Sequence, residues 1–364
     1  MMRDVGGHPA DQLADPIALW VVAVSDLGGV ARHVLDVAAR GIPGYRLVVL
    51  CPEGPLAERL RQEDRPVMTA AFGQDAGLHT SVMTVRHAIA ALRPADLHSH
   101  LAWADVVTAV AAPMRGGPRV VSTEHGIAAD DSAYHATRIK ARTREAMHHL
   151  RLRRVDAAIA VSSSTADVMR DKWAPQAPVT VILNGVDRPP EVKPSVSGLR
   201  VLSISRLAPE KRITALVSAF AEVARRHPEA TLTVAGDGPE RGSLERLVHE
   251  LGLSGRVSMP GHVESAGAIA AADVLAQLSV WENASYSLLD GCAHGLGVVA
   301  SPVGGNAEIL PPRCLVDSDD PGIVADRIIE QGTDLSRRPG LPAGWPDVAA
   351  MCRAIAGVYD AARG

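Results

Sequence analysis

A chain of 364 residues is long enough for two ordinary domains, each with its own core. Apolar residues make up 47% and charged residues 21%, a globular composition; the net charge of −4 argues against a general nucleic-acid binder, and none is expected as a partner. Four scattered cysteines, Cys51, Cys292, Cys314 and Cys352, form no CxxC pair, so reduced thiols are expected instead of a zinc site or a disulfide frame.

The longest early apolar run, Ile17–Val24, is too short to span a bilayer and follows acids where a signal peptide would have bases. It reads as a buried parallel strand in a cytoplasmic protein. Further strands are expected at Arg46–Cys51, Pro66–Ala71, Ala95–His100, Arg119–His125 and Asp156–Ser162. Helix-period stretches at Val30–Arg40, Ser81–Leu92 and Ser163–Lys172 lie between them. Strands alternating with helices imply βαβ units and a parallel sheet covered on both faces.

The alternation pauses at the proline- and glycine-rich stretch Asn184–Gly198, which reads as a linker. It resumes with strands at Leu199–Ser205, Ala230–Gly236, Arg256–Gly261, Ala272–Leu278, Gly297–Ser301 and Arg313–Val316. Two doubly wound α/β domains follow, residues 1–190 and 191–345. In the tail, Val348, Met351, Cys352, Ile355, Val358 and Tyr359 repeat at the spacing of an amphipathic helix, within residues 346–362.

In open α/β sheets, ligands sit at the carboxyl ends of strands. Gly28 and Gly29 follow the first strand and precede a helix N-terminus, where backbone can approach an anion; a plain βα turn is the competing reading. Gly236, Gly238 and Gly242 resemble a dinucleotide fingerprint, but the next strand ends without the acid that would hold a ribose. They read as a ligand-facing turn. Arg206 and Lys211 flank a helix start, where a guanidinium fork and an ammonium can hold a diphosphate. Lysine is scarce here, only Lys140, Lys172, Lys193 and Lys211, which favours function over solvated charge at Lys211.

His98, His100, Glu124 and His125 stand at strand ends, on different strands and without HExxH-type spacing, so cleft-facing histidines are expected and no metal site. Glu282 ends the stretch Ala272–Asn283, with Asn283 a plausible N-cap and Ala284, Ser285 and Tyr286 opening a helix. Asp290 then lies roughly two turns in. The two acids can bracket one extended ligand: a sugar at Glu282, phosphates at the helix start, a ribose diol at Asp290. One capping acid and one structural acid is the alternative.

Together, "LGGVARHVL", "DLHSH", "STEHG", "AVSSST", "VILNGVD", "SRLAPEKR", "AGDGPERGSLERL", "WENASYSLLDGCAHG" and "VASPVGGNAEIL" occur in an order that resembles the retaining GT-B glycosyltransferases of family 4. The resemblance runs from about Leu19 to Leu310. It implies two Rossmann-like domains, with a UDP- or GDP-sugar donor bound mainly by the second and the closing helix returning to the first. It implies that Arg206 and Lys211 bind the diphosphate, Glu282 faces the donor sugar, Asp290 the ribose, Gly28 and Gly29 form the first glycine-rich loop, and His125 lies in the cleft; from their strand-end positions His100, Glu124 and His125 are candidates for the acceptor side. No cofactor and no divalent metal is implied, since the nucleotide sugar is a substrate. Asp290 in place of a second glutamate, and Asn283–Ser285 where Gly-Phe-Gly is common, depart from the pattern. The rivals are a GT-B epimerase or phosphorylase, and a catalytically degenerate protein serving as a binding partner.

The acceptor is a sugar, a small metabolite or a lipid-linked hydroxyl. The segment 138–154 is rich in Arg with a single acid, Glu145, and apolar Met147, Leu150 and Leu152. It reads either as a peripheral contact with the inner face of an anionic membrane or as a solvated face.

Overall fold

The computed structural model describes residues 15–127, 147–189 and 197–361. The chain divides into two compact units, Met1–Gly185 with Pro346–Gly364, and Val186–Trp345. Each is a doubly wound, all-parallel α/β domain of Rossmann-like form.

The first unit carries a seven-stranded sheet: β1 (Ile17–Val22), β2 (Arg46–Cys51), β3 (Val67–Thr69), β4 (Asp96–His100), β5 (Arg119–Glu124), β6 (Ala157–Ala160) and β7 (Val179–Val181). Their order is β3-β2-β1-β4-β5-β6-β7. The order reverses between β1 and β4, the switch point where such sheets bind ligands. The alternation of a strand splits its residues between two cores. Ala18, Trp20 and Val22 join one with the helices Gly29–Arg40 and Val348–Ala361. Leu19 and Val21 join the other, with Val85, Val107 and Met169. The short edge strand β7 was not foreseen, because Val179–Val181 lacks the apolar run of a buried strand and is largely exposed.

The six apolar positions expected to face inward in the tail are all buried. Trp20 Nε1 donates to Tyr359 Oη (2.8 Å), and Tyr45 Oη donates to Asp360 (2.8 Å), which fastens the closing helix across 315 residues of sequence or more. Its approach needs a bare backbone at Gly185, where a Cβ would lie 2.5 Å from the Asp347 carbonyl oxygen.

The second unit has five strands, β8 (Arg200–Ile204), β9 (Thr231–Ala235), β10 (Val257–Gly261), β11 (Val274–Gln277) and β12 (Gly297–Ala300), ordered β10-β9-β8-β11-β12. Its switch point lies between β8 and β11. The strand expected at Arg313–Val316 is instead a 3-10 turn at Pro312–Cys314 with one bridge, Leu315 to Ala300. A proline at the start of that stretch cannot donate to a ladder.

Candidate active site

At the second unit's switch point, the loops after β8 and β11 bring cations and acids together. Lys211 Nζ donates to Glu282 Oε1, which also accepts from Ser279 Oγ (2.8 Å). Val280 N donates to the Glu210 carbonyl oxygen (2.8 Å), tying the two loops directly. Arg206 pairs with Glu210 and stays mostly exposed. Lys211 and Glu282 are part-buried, with side chains 19% and 12% exposed, so their attraction is screened less than a surface pair. The Lys211 ammonium also lies 5.9 Å from the centre of the Trp281 ring.

Gly236 and Gly238 brace this site from beneath. A Cβ at Gly236 (φ +129°) would sit 2.0 Å from the Ser205 carbonyl oxygen; one at Gly238 would sit 2.3 Å from that of Leu207. Leu207 N donates to Asp237 O (2.9 Å) and Glu240 N to Leu207 O (3.0 Å). The expected ligand-facing turn is therefore packed on the Arg206 loop, and these glycines are required by that contact. Gly304, not singled out in the sequence, has φ +52° and would place a Cβ 1.7 Å from the Glu282 carbonyl oxygen. Its signal was the "VGGN" after β12, since consecutive glycines mark a turn.

The helix after Glu282 runs from Tyr286 to Ala293, and its N-cap is Ser285, not Asn283. Ser285 Oγ accepts from Leu288 N (3.4 Å) and donates to Gln277 Oε1 (2.7 Å), so the cap is anchored to the end of β11. Asn283 is buried and Ala284 half-buried in the bend before it. Asp290 is consequently the fifth residue of the helix, little more than one turn in, and only 7% exposed. Burial of Asp290 fits the alternative in which one of the two acids is structural, whereas Glu282 pairs with Lys211.

In the first unit, Gly28 and Gly29 open the helix Gly29–Arg40 at exposed positions. Gly28 is extended (φ −160°), and a Cβ at either position would meet no protein atom within 4 Å, so neither is demanded by conformation or packing. His100 and His125 meet at 2.9 Å, Nδ1 to Nε2. His98 stacks on His100 but spends both nitrogens elsewhere, on Tyr359 Oη (2.6 Å) and Thr123 Oγ1 (2.7 Å). His33, which was not singled out, joins them from one turn into the helix; its signal was a polar residue inside an apolar helical repeat. Burial drives all four imidazoles toward the neutral form: His33 falls to about 4, against a side-chain hydrogen bond with Asn184 that favours the charged form, and His98, His100 and His125 fall well below the usual value.

Glu124 Oε2 accepts from Arg151 Nη2 (2.7 Å), and Arg151 also pairs with Asp105. Asp105 takes Ser99 Oγ (2.5 Å) and Ser122 Oγ (2.8 Å) as well. Two buried carboxylates share one guanidinium, and burial pushes Glu124 up to about 8, with the Gly126 backbone N–H working against it. Arg151 therefore departs from the surface reading of 138–154. Residues 138–146 lie outside the described residues; of the rest, Arg151 and Leu152 are buried, while Met147, Leu150 and Arg153 are exposed. Among the described residues, no helix is long and apolar enough to cross a membrane.

The candidates thus form two sets, one at each sheet's switch point. The profile described as Glycosyltransferase Family 4 matches residues 27–188, and Glycosyl transferases group 1 matches residues 198–334. The chain is 30% identical over 311 residues to a 2-deoxystreptamine glucosyltransferase of Streptomyces kanamyceticus, covering 78% of this chain and 79% of that protein. It is 28% identical over 341 residues to a component of the phosphatidylinositol N-acetylglucosaminyltransferase of Arabidopsis thaliana, covering 85% and 74%. The crystal structure of Anabaena HepE in complex with UDP-glucose matches at TM-score 0.75 and 20% identity, over 94% of this chain and 95% of that one.

Proposed function

Since this chain belongs to the GT-B glycosyltransferases, we propose that it moves a sugar from a UDP- or GDP-linked donor to a hydroxyl acceptor, with retention at the anomeric carbon. The observation that carries this reading is the Lys211–Glu282 pair at the switch point of the second unit. An arriving diphosphate competes with Glu282 and Glu210 for Lys211 and Arg206, and the helix capped by Ser285 adds its positive end. Freed from Lys211, the Glu282 carboxylate is available to the donor's hydroxyls, and Asp290 to the ribose. As the bond from the anomeric carbon to phosphate breaks, negative charge grows on the leaving diphosphate, where these cations stabilise it. They make a divalent metal unnecessary for that step. The acceptor oxygen bonds to the same face of the carbon, and its proton passes to the departing phosphate. His125 is assigned to the sugar, with His100 and Glu124 beside it on the acceptor side.

Two relatives carry names that specify phosphatidylinositol and 2-deoxystreptamine, which supports a ring polyol as the acceptor. Incubation with α-linked UDP- and GDP-sugars and a panel of such polyols tests the proposal. Proton NMR of the product should show an α linkage. A β product would refute retention. Consumption of donor without acceptor would favour the epimerase, a requirement for free phosphate the phosphorylase, and no turnover with any pair the degenerate binding partner. Sedimentation with anionic vesicles tests the lipid-linked alternative; salt-sensitive binding lost in Leu150→Gln with Arg153→Gln would support it, and no binding would leave a soluble acceptor.

A further inference from the structure

We propose that His33, His100 and His125 form a binding site for one divalent transition-metal ion. One ring nitrogen of each lies within 4.8 Å of one on each of the others. Three different segments deliver them: the helix Gly29–Arg40, the end of β4, and the residue after β5. Bonds from zinc to imidazole of about 2.0–2.1 Å set tetrahedral nitrogens about 3.3 Å apart. The His100–His125 nitrogens stand at 2.9 Å and would part slightly, and a pair at the 4.8 Å limit would close by about 1.5 Å on binding.

The surroundings select three of the four clustered histidines. His98 has both nitrogens committed to hydroxyls, and it serves as a stacking partner, 4.5 Å from His100 between ring centres. Trp20 backs the site, 4.3 Å from His100 and stacked on His33 at 5.6 Å. Such packing fixes ring orientation, which a ligand set needs. His100 Nε2 is buried without a hydrogen-bond partner among the described residues, an unsatisfied polar atom on the ring whose Nδ1 faces His125. The bond between His100 and His125 also uses one lone pair and one N–H, so only one of the two nitrogens acts as an acceptor. An ion between them would use a lone pair from each.

Three imidazoles with neither thiolate nor carboxylate favour Zn2+, Co2+, Ni2+ or Cu2+ over Mg2+ and Ca2+. The fourth position is left to water or a small anion. The site stands on the first unit's geometry alone and is independent of the transferase reading. If that reading holds, an occupied site withdraws His125 from the sugar and inhibits turnover.

The test is a Co2+ titration of the full chain after removal of bound metal by a chelator. One equivalent should develop the visible absorption of a four- or five-coordinate cobalt site, and Zn2+ should displace it. His33→Gln, His100→Gln and His125→Gln should each weaken Co2+ binding at least about 100-fold, exceeding the loss seen when a supporting residue is removed. The exposed His87→Gln should not change it, with melting curves confirming that each variant is folded. X-ray absorption of the Zn2+-loaded natural chain should count three imidazoles, and it needs no variant. Absence of a visible band, unchanged affinity in folded His100→Gln, fewer than three imidazoles, or thiolate bands from the four cysteines would overturn the proposal.

Discussion

Lys211 is the residue on which most depends. It is one of four lysines in the chain, and it is bound to the acid that the sequence singled out by an entirely separate pattern. Lys211→Ala should lose on the order of 2 kcal/mol of transition-state stabilisation, about 30-fold in kcat/KM, as charge-assisted hydrogen bonds do. Lys211→Arg should recover part of it. Steady-state kinetics with the natural donor decide; equal kcat/KM in Lys211→Ala would remove the residue from the mechanism. Glu282→Gln should mainly lower kcat, because it acts beside the sugar, whereas Asp290→Asn should mainly weaken nucleotide binding. Both acids stood out in the sequence because they flank the passage from a strand into a helix, although Asp290 lies nearer the helix start than the sequence suggested. What was not legible was Arg151. A run of arginines reads as surface charge, and nothing local to Arg151 reveals that Asp105 and Glu124 wait behind it on other elements.

At the scale of elements, the site depends on loops packed backbone to backbone. Gly304→Ala forces a side chain into a left-handed conformation and into the Glu282 carbonyl. It should cost about 2 kcal/mol or more and lower Tm by roughly 4–8 °C, while weakening donor binding through the displaced Glu282 loop. An unchanged Tm by calorimetry would mean that the loop after β12 yields freely. The strands and long helices were readable from the sequence because their apolar periods are long and unbroken. Loop details were not. Asn283 and Ser285 are both good caps, and the choice fell to Ser285 because Gln277 at the end of β11 gives its hydroxyl an acceptor. Likewise Gly236 and Gly238 read as a ligand-facing turn, and their packing on Ser205 and Leu207 was hidden, because close backbone approach looks the same in sequence whether the neighbour is a ligand or another loop.

For the whole molecule, two opposite pH dependences follow from burial in the first unit. The four imidazoles have depressed folded-state values, so the unfolded chain binds more protons below about pH 6.5, and stability present above that pH is lost as it falls toward 4. Glu124 has a raised value, so it opposes this, favouring the folded state at low pH and losing that contribution as pH rises toward 8. Four groups outweigh one, and Tm should fall between pH 7 and 5. A flat profile would contradict neutral imidazoles. Arg151→Met should cost about 3–5 kcal/mol by removing the cation that Asp105 and Glu124 share, read as a lower Tm by calorimetry; an unchanged Tm would mean that the pair adds nothing to stability. Two doubly wound domains were evident from alternation and the proline-rich linker. The return of the closing helix was not a periodicity signal; it rested on the family resemblance, and Tyr359 bonded to Trp20 supplies its physical reason.

In the proposed function, the loops after β8 and β11 hold the diphosphate of a nucleotide sugar. Calorimetric titration of UDP and GDP into the natural chain and into Lys211→Ala tests it most directly. One nucleotide should bind at one equivalent to the natural chain, and its Kd should rise about 30-fold in the folded variant. No binding of either nucleotide to the natural chain, or equal affinity in the variant, would contradict it.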